Sequence, residues 1–262
     1  MVFFQKERYV VEDLLCIMEL LRLGCPWDRE QTHKSIRKNF IEETYEAVEA
    51  IDTEDAGLLK EELGDVLLQV AFHAQIAKES GNFDFGDVCD AVCKKLLTRH
   101  PHIFGAAKVE TAKQALQGWD EIKKKEKQRQ TNIQALKDIP ACLPALMRSQ
   151  KVQQKAAKAG FDYPGTELAM MDLRSEVEEV ECALNSGNPT ALEEELGDLI
   201  FSVVNISRFT GVEAEEALTK SCNKFIARFE EVENLALEKG IDMQKASIKT
   251  LDSLWKEAKK KM

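Results

Sequence analysis

Acidic side chains occur in the first half of the chain at a spacing that suits metal binding. Glu43 and Glu46 are three residues apart, and so are Glu62 and Asp65. On a helix this spacing places two carboxylates on one face, with Cβ atoms ~5–6 Å apart. If two such helices pair antiparallel, four carboxylates converge, and each contact at ~4 Å costs ~4 kcal/mol at an effective dielectric of 20. Such a cluster requires protons or cations to neutralise it.

The same acidic pattern recurs 133 residues further along the chain. Each of the four positions has an acidic counterpart in register: Glu176, Glu179, Glu195 and Asp198. In-register recurrence of two separated pairs favours two related domains over chance. Because the motif offers only oxygen donors, it favours Mg²⁺ first and Mn²⁺ next, over Zn²⁺ or iron. We therefore predict a metal role for all eight carboxylates.

An ordinary solvated helix face is the competing interpretation of these acids. A solvated face is the more common explanation for the first group of acids, Glu42 to Glu49, when this group is taken alone. These residues lie away from the apolar stripe Ile41–Tyr45–Val48. Asp65 and Asp198 favour the metal site instead, since each is followed at once by an apolar run. We expect those two helices to be buried, and a buried carboxylate is costly unless it is paired or metal-bound.

Basic and aromatic residues recur in order after each acidic group. They form four pairs at a spacing of i, i+4: Lys95 and Arg99, Trp119 and Lys123, Lys224 and Arg228, and Trp255 and Lys259. Taken singly, each basic pair is typical of an ordinary surface. Their recurrence favours a polyphosphate clamp of divalent ions with Lys and Arg donors. A Trp in this position either stacks on a base or fills the core, and the sequence does not decide between the two.

Helices must position these side chains. Leu59, Leu63, Val66 and Val70 form an apolar stripe at helical spacing, and the short loop near residues 52–57 predicts antiparallel packing against the preceding helix. The second half repeats this with helices over 173–184 and 192–207 and a turn at 185–189, and further helices are predicted over 87–97 and 214–239. A helix is also expected to end at Gly160. We find no strand pattern, so the predicted fold class is all-α, with two tandem helical-bundle domains.

The boundary between the domains is indicated by composition. Residues 123–130 form a charged run, and Pro140 and Pro144 follow it and would break a helix. We predict an N-terminal domain over 1–130, a helical linker over 131–145 and a C-terminal domain over 146–262.

Composition limits the possible partners and compartments. The 262 residues include 36 Lys and Arg against 46 Asp and Glu, a formal net charge of −10, which argues against nucleic acid or an anionic membrane as partner. Seven irregularly spaced cysteines, no signal-peptide pattern and no apolar run near ~20 residues predict a reduced, cytoplasmic protein. Phosphate-binding loop, dinucleotide and H-E-x-x-H motifs are absent.

Several segments together resemble the tandem-domain MazG proteins. They are GCPWDREQTHKSI, FIEETYEAVEAI, EELGDVLLQVAFHAQ, RHPHIF, LPALMRSQKVQQKAAKAGFD, EEELGDLIFSVVN and LWKEAKK. These proteins are nucleoside triphosphate pyrophosphohydrolases of the all-α NTP pyrophosphatase superfamily. The resemblance covers nearly the whole chain. It implies Mg²⁺-dependent hydrolysis of an NTP or dNTP to the monophosphate and pyrophosphate, by a homodimer whose facing helices build each site.

The resemblance also assigns roles to residues. The family pattern E-E-x-x-E … E-x-x-D falls on residues 42–46 and 62–65, and in the second half Ser175 stands where Glu42 stands in the first. The second half is the expected catalytic one, with Glu194 or Glu195 as general base. Five residues are expected to contact the substrate: Asp172, Lys224, Arg228, Trp255 and Lys259.

Two alternatives stay open from the sequence. The same site would also serve another phosphoanhydride, such as a phosphoribosyl compound or a guanosine polyphosphate. A non-enzymatic helical dimer, with metal bound for stability and a partner protein docked on it, would use the carboxylates but not the Lys and Arg positions. Base preference, the number of metal ions and the activity of the first half are not determined by the sequence.

Overall fold

The chain divides into two compact units, Met1–Glu126 and Lys127–Met262, in a computed structural model. The structure describes residues 5–105 and 131–261, together with residues 109, 111, 114, 115, 118, 119 and 122. The predicted charged run over 123–130 lies outside the described residues, as does Lys123. The described part contains helices and no strand, so the all-α prediction is confirmed.

The first unit is built around one antiparallel helix pair. Its described helices are α1 Val11–Gly24, α2 Pro26–Glu30, α3 Arg37–Asp52, α4 Ala56–Glu79, α5 Phe85–Arg99 and α6 Pro101–Phe104. Three residues join α3 to α4, and the Asp55 side chain caps α4 by accepting hydrogen bonds from the backbone N–H groups of Gly57 (2.8 Å) and Leu58 (3.1 Å). This short capped loop packs α3 and α4 against each other, as the sequence predicted.

The core of the first unit lies where α1 packs on the second half of α4. Met18, Ile36, Phe72 and Ile76 are buried together there. Arg22 reaches into the same region, where its guanidinium pairs with the Glu79 carboxylate and lies 5.7 Å from the centre of the Phe72 ring. These contacts fix the C-terminal half of α4 and leave its N-terminal half, which carries the acidic residues, in contact mainly with α3.

The second unit repeats this helix pair. Its described helices are α7 Asn132–Lys137, α8 Ala145–Lys158, α9 Thr166–Ser186, α10 Pro189–Thr210, α11 Ala214–Glu238 and α12 Ile248–Lys261. The predicted turn is confirmed: Gly187 ends α9 at φ 67°, a left-handed conformation that favours glycine, and the Asn188 side chain caps α10, whose first residue is Pro189. Helix α7 lies within the predicted linker.

Helix α8 ends at Lys158, beside the predicted stop at Gly160. Gly160 has φ 91°, and the N–H of Phe161 donates to the carbonyl of Ala156 (3.0 Å), which closes the helix with a left-handed residue. The chain then turns into a loop of residues 160–165 that leads into α9.

Helices α11 and α12 form the largest buried cluster of the second unit. Val232, Leu235, Leu254 and Ala258 are buried there, and Trp255 packs against them. The Trp255 ring also lies 5.2 Å from that of Phe225. Of the two interpretations of this Trp, the packing supports the core role.

The expectation that α4 and α10, the helices that carry Asp65 and Asp198, are buried was wrong on one side of each helix. Leu63, on the predicted apolar stripe, is 54% exposed, and Ile200 on α10 is 51% exposed. Ile41, Tyr45 and Val48 on α3 are exposed as well. The physical reason is that each unit covers only one side of its helix pair, so apolar residues on the other side stay open. None of the described helices has the length and apolarity needed to cross a bilayer.

Candidate functional site

The acidic residues of the second unit meet between α9 and α10. Glu176 and Glu179 project from α9 and Glu195 from α10, and each offers one carboxylate oxygen that lies within 4.8 Å of the other two. The predicted convergence is therefore present for three of the four acids. Glu179 also accepts a hydrogen bond from the hydroxyl of Ser175 (3.2 Å), the residue that departs from the family pattern.

Asp198 stands one turn further along α10 than Glu195. It does not belong to the group within 4.8 Å, yet its charge acts on both Glu176 and Glu195. The expectation that Asp198 is rooted in a buried helix face was wrong, because its side chain is exposed. Glu194 adjoins Glu195 and contributes to the same negative field.

The first unit holds an equivalent cluster between α3 and α4. Carboxylate oxygens of Glu43, Glu62 and Asp65 lie within 4.8 Å of one another. Burial first, and then the charges of Asp65 and Glu46, raise the pKa of Glu43, so Glu46 acts on the same cluster. Glu42 instead pairs with Lys38 on the exposed face of α3, with Nζ and Oε1 2.8 Å apart.

The electrostatics of both clusters disfavour fully ionised, metal-free carboxylates. Desolvation, followed by the charges of neighbouring acids, raises the pKa of Glu176 and of Glu195, and the same causes raise the pKa of Glu43 and of Glu62. All of the clustered donors are carboxylate oxygens, the ligand type of hard divalent cations. The donor set and its crowded charge fit such an ion.

Raised carboxylate pKa values give the effect of metal a definite dependence on pH. Between the ordinary glutamate pKa and the raised folded-state value, the folded chain binds more protons than the unfolded chain, so metal-free stability falls as pH rises through that interval. Mg²⁺ competes with those protons. We expect the increase in melting temperature caused by Mg²⁺ to be larger at pH 8 than at pH 5, as measured by thermal unfolding at both pH values.

The Glu176→Gln, Glu195→Gln double variant is the control for this measurement. Because this variant lacks both titrating carboxylates of the second unit, the increase in melting temperature caused by Mg²⁺ should depend less on pH than in the unaltered protein. An Mg²⁺ effect that is equal at pH 5 and pH 8 in the unaltered protein would contradict the assignment.

Asp172 lies on α9 one turn before Glu176 and is held from two sides. The Ser202 hydroxyl on α10 donates to its Oδ2 (3.1 Å), and Tyr163 in the loop of residues 160–165 lies close enough for its phenol to interact with the Asp172 carboxylate. Burial first, and then Asp172, raises the pKa of the Tyr163 phenol. Asp172 was expected from the sequence to contact the substrate, whereas Tyr163 and Ser202 were missed, because no periodic spacing connects them to the acidic motif.

A cavity of about 610 Å³ opens beside this cluster. Asp172, Glu176 and Asp198 line one part of it, so it adjoins the candidate metal ligands. Phe161 and Tyr163 line it from the loop of residues 160–165. Its volume is in the range typical of small-molecule sites.

The predicted basic and aromatic contacts lie on other elements of the second unit. Lys224 and Arg228 are on α11, and Trp255 and Lys259 are on α12. In the described part of the chain, no hydrogen bond or ion pair joins any of these four to the acidic cluster. Arg228 is half-buried, and its Nε atom has no hydrogen-bond partner among the described residues. In the first unit, the guanidinium of Arg99 lies 5.3 Å from the centre of the Trp119 ring.

Comparison with known proteins identifies both halves of this chain. A family model described as the MazG nucleotide pyrophosphohydrolase domain matches residues 31–104 and 165–233, which contain α3, α4, α9, α10 and the two acidic clusters. The chain is 42% identical over 255 residues to a nucleoside triphosphate pyrophosphohydrolase of Escherichia coli (strain K12), covering 95% of this chain and 97% of the relative.

Two matches come from Thermotoga maritima. The chain is 43% identical over 250 residues to a protein named nucleoside triphosphate pyrophosphohydrolase/pyrophosphatase MazG, with 95% of each chain covered. A crystal structure of a mazG-related protein is 30% identical and covers 44% of this chain and 99% of that protein, with a TM-score of 0.39.

Proposed function

This chain belongs to the family of MazG nucleotide pyrophosphohydrolases, and from that premise we propose that it hydrolyses nucleoside triphosphates to monophosphate and pyrophosphate with Mg²⁺. Both ribonucleotides and deoxyribonucleotides belong to the proposed substrate class, and Mn²⁺ is the expected substitute ion. The carboxylates of Glu176, Glu179 and Glu195 carry the proposal, because they meet within 4.8 Å beside a cavity of ligand size.

Four residues of the second unit would hold the metal: Glu176, Glu179, Glu195 and Asp198. When bound, the divalent cation supplies charge neutralisation for the phosphate oxygens and lowers the pKa of nearby water. Glu176, Glu179 and Glu195 bring their carboxylate oxygens together. The negative charge of Asp198 adds to the negative charge of this group. Both helices of the pair contribute ligands, so the short turn between α9 and α10 fixes the geometry of the set.

The chemical step is attack by water at the α-phosphorus. A new bond forms from the water oxygen to that phosphorus, the bond from the α-phosphorus to the bridging oxygen breaks, and pyrophosphate leaves with the electron pair. Glu195 or its neighbour Glu194 accepts the proton of the water. Both candidates lie on α10 next to the carboxylates that would hold the metal, so either can reach a water bound there.

Lys224, Arg228 and Lys259 are proposed to bind the β- and γ-phosphates. The buried Nε of Arg228 supports this, because an Arg donor without a partner costs free energy until an acceptor arrives. A phosphate oxygen is a suitable acceptor for a guanidinium. Trp255 would then act by holding α11 and α12 together through its packing.

The protein is proposed to act as a homodimer. Apolar side chains on the open sides of both helix pairs, such as Leu63, Val177 and Ile200, are exposed to a degree that favours coverage by a second copy. The family resemblance implies the same assembly, with facing helices from two subunits at each site. The proposed location is the cytoplasm, and we propose no role for nucleic acid or a membrane.

Pyrophosphate release tests the function directly. The full-length chain is incubated with Mg²⁺ and each of the eight common NTPs and dNTPs, with a phosphoribosyl pyrophosphate and a guanosine polyphosphate as further substrates. We expect monophosphate and pyrophosphate in equal amounts from the nucleotides, and light scattering of the same preparation should give the mass of a dimer. Release of orthophosphate, or product from the non-nucleotide substrates alone, would contradict the proposal.

A further inference from the structure

The cavity beside Glu176 and Asp198 has the composition of a nucleoside site. Leu136, Val152, Ala156 and Phe201 give it apolar walls, and a few polar groups stand among them. Sites for small organic ligands combine apolar walls with few placed hydrogen-bonding groups in this way. Because the cavity shares carboxylates with the metal cluster, a substrate with phosphates at those carboxylates would extend its nucleoside into this space.

Gln153 supplies a hydrogen-bonding group at the wall of this cavity. Its side chain is 6% exposed, and its Nε2 donates to the carbonyl of Phe201 (2.7 Å), which fixes the orientation of the amide. Its Oε1 is buried and has no hydrogen-bond partner among the described residues. A buried acceptor without a partner destabilises the protein, and a donor on a bound base would offset that cost.

Asn205 is a second polar group of the wall, and Arg208 fixes its orientation. The Arg208 guanidinium donates to Asn205 Oδ1 from Nε (3.0 Å) and from Nη2 (2.8 Å). Because the amide oxygen is held in this way, the amide N–H₂ remains as the donor that Asn205 can offer. Arg208 also pairs with Asp162, which ties the loop of residues 160–165 to α10.

That loop places aromatic rings at the cavity. Phe161 is 85% exposed although it lines the cavity, and Tyr163 lines the same cavity together with Asp172. An exposed aromatic ring beside a cavity offers a surface on which a nucleobase of any kind can stack.

The first unit differs at the corresponding positions. In the 133-residue register of the repeat, Phe72 stands for Asn205 and Gln69 for Ser202. The Phe72 ring is 5% exposed, lies 6.5 Å from that of Trp27 and belongs to the buried core. The first unit thus keeps its carboxylate cluster. At the position where the second unit has the polar residue Asn205, the first unit has the apolar residue Phe72.

We propose that this cavity of the second unit binds the nucleoside of the substrate, with Gln153 and Asn205 as residues that determine base specificity. The proposal rests on the proposed function and extends it from the phosphates to the nucleoside. In the first unit Phe72 is buried at the position that corresponds to Asn205, so the proposal does not extend to the carboxylate cluster of that unit.

Two variants test the cavity. Asn205→Phe copies the register position of the first unit and obstructs the cavity, while Gln153→Leu removes the polar wall group at similar volume. The probes are the nucleoside 5′-monophosphates and inorganic tripolyphosphate, each titrated with Mg²⁺ in a calorimeter against the full-length protein. We expect both variants to weaken monophosphate binding roughly tenfold or more and Gln153→Leu to change the ranking of the bases, with tripolyphosphate binding unchanged within about twofold.

Gln69→Leu is the matched control. Gln69 is also 6% exposed, and its Oε1 has no hydrogen-bond partner in the part of the chain that the structure describes. It lies in the first unit, so its replacement should leave the affinity for every monophosphate unchanged. Thermal unfolding identifies a variant that fails to fold, and Asn205→Ala then replaces Asn205→Phe.

The outcomes separate this inference from the proposed function. Unchanged monophosphate affinity in both variants, or an equal loss for monophosphates and tripolyphosphate, overturns the nucleoside site. Because calorimetry needs no turnover, an unaltered protein that binds monophosphates in the cavity but releases no pyrophosphate would contradict only the proposed function.

Discussion

Glu179→Gln is expected to lower pyrophosphate release at least about a hundredfold while the protein stays folded. Glu179 offers one of the three carboxylate oxygens that meet within 4.8 Å between α9 and α10. Glutamine keeps the size of the side chain but removes its negative charge, so a divalent cation loses an anionic ligand. Removing one preorganised contact to developing charge commonly costs 10²–10³ in turnover.

Stability should change little, and in the metal-free protein it should not fall. Glu179 is exposed, and its charge acts against Glu176 and Glu195 by raising the pKa of both. Replacing it therefore relieves repulsion. The measurements are initial rates with saturating Mg²⁺ and thermal unfolding with and without Mg²⁺.

Glu178→Gln is the matched control for this variant. Glu178 is the preceding residue on α9, is exposed, and does not belong to the carboxylate cluster. The Glu178→Gln variant removes the same charge from the same helix. A rate within about twofold of that of the unaltered protein would show that the effect of Glu179→Gln comes from the loss of a metal ligand and not from the change in net charge. Equal rates for Glu179→Gln and the unaltered protein would remove the second unit from the catalytic role.

The sequence was sufficient to predict the carboxylate pairs because their geometry is local. A spacing of three residues on a helix places Glu176 and Glu179 on one face without any knowledge of the rest of the fold. The partner helix followed from a short turn with Asn188 before Pro189, which is a local signal as well. The carboxylates of both helices, α9 and α10, were therefore predicted from sequence patterns that span only about 25 residues.

The cavity could not be predicted in the same way. It depends on contacts between residues far apart in sequence, such as Gln153 with Phe201 and Ser202 with Asp172. No periodicity relates those positions, and each residue type is common on surfaces. Only the comparison of Asn205 with Phe72 across the repeat gives a sequence signal, and its meaning depends on knowing that Phe72 is buried.

Burial was the property that the sequence predicted least well. An apolar stripe such as the one through Leu63 indicates that a surface is covered, but it does not say whether the cover is the same chain or another copy. The stripe was therefore assigned to the core of its own unit, whereas the structure leaves Leu63 exposed and the other three residues of the stripe only half-buried. Asp65 on the same helix and Asp198 on α10 were expected to be more deeply buried than they are for the same reason.

Removal of divalent cations is expected to abolish turnover and to lower the melting temperature. Chelation with EDTA followed by dialysis leaves the acids of both units without the ion that offsets their repulsion. Activity should fall to the level of a blank, and addition of Mg²⁺ should restore it. Mn²⁺ should restore it as well, whereas Zn²⁺, which favours nitrogen and sulfur ligands, should restore less.

The melting temperature gives a readout that does not depend on turnover. An ion that binds only the folded state stabilises it by about 2.7 kcal/mol at a concentration of 100 times its dissociation constant. The Glu176→Gln, Glu195→Gln double variant should lose the part of this effect that arises in the second unit and keep the part that arises at Glu43, Glu62 and Asp65. If chelation leaves both the rate and the melting temperature unchanged, the acids are an ordinary solvated surface, and the assignment of the active site to the helix pair α9–α10 is wrong.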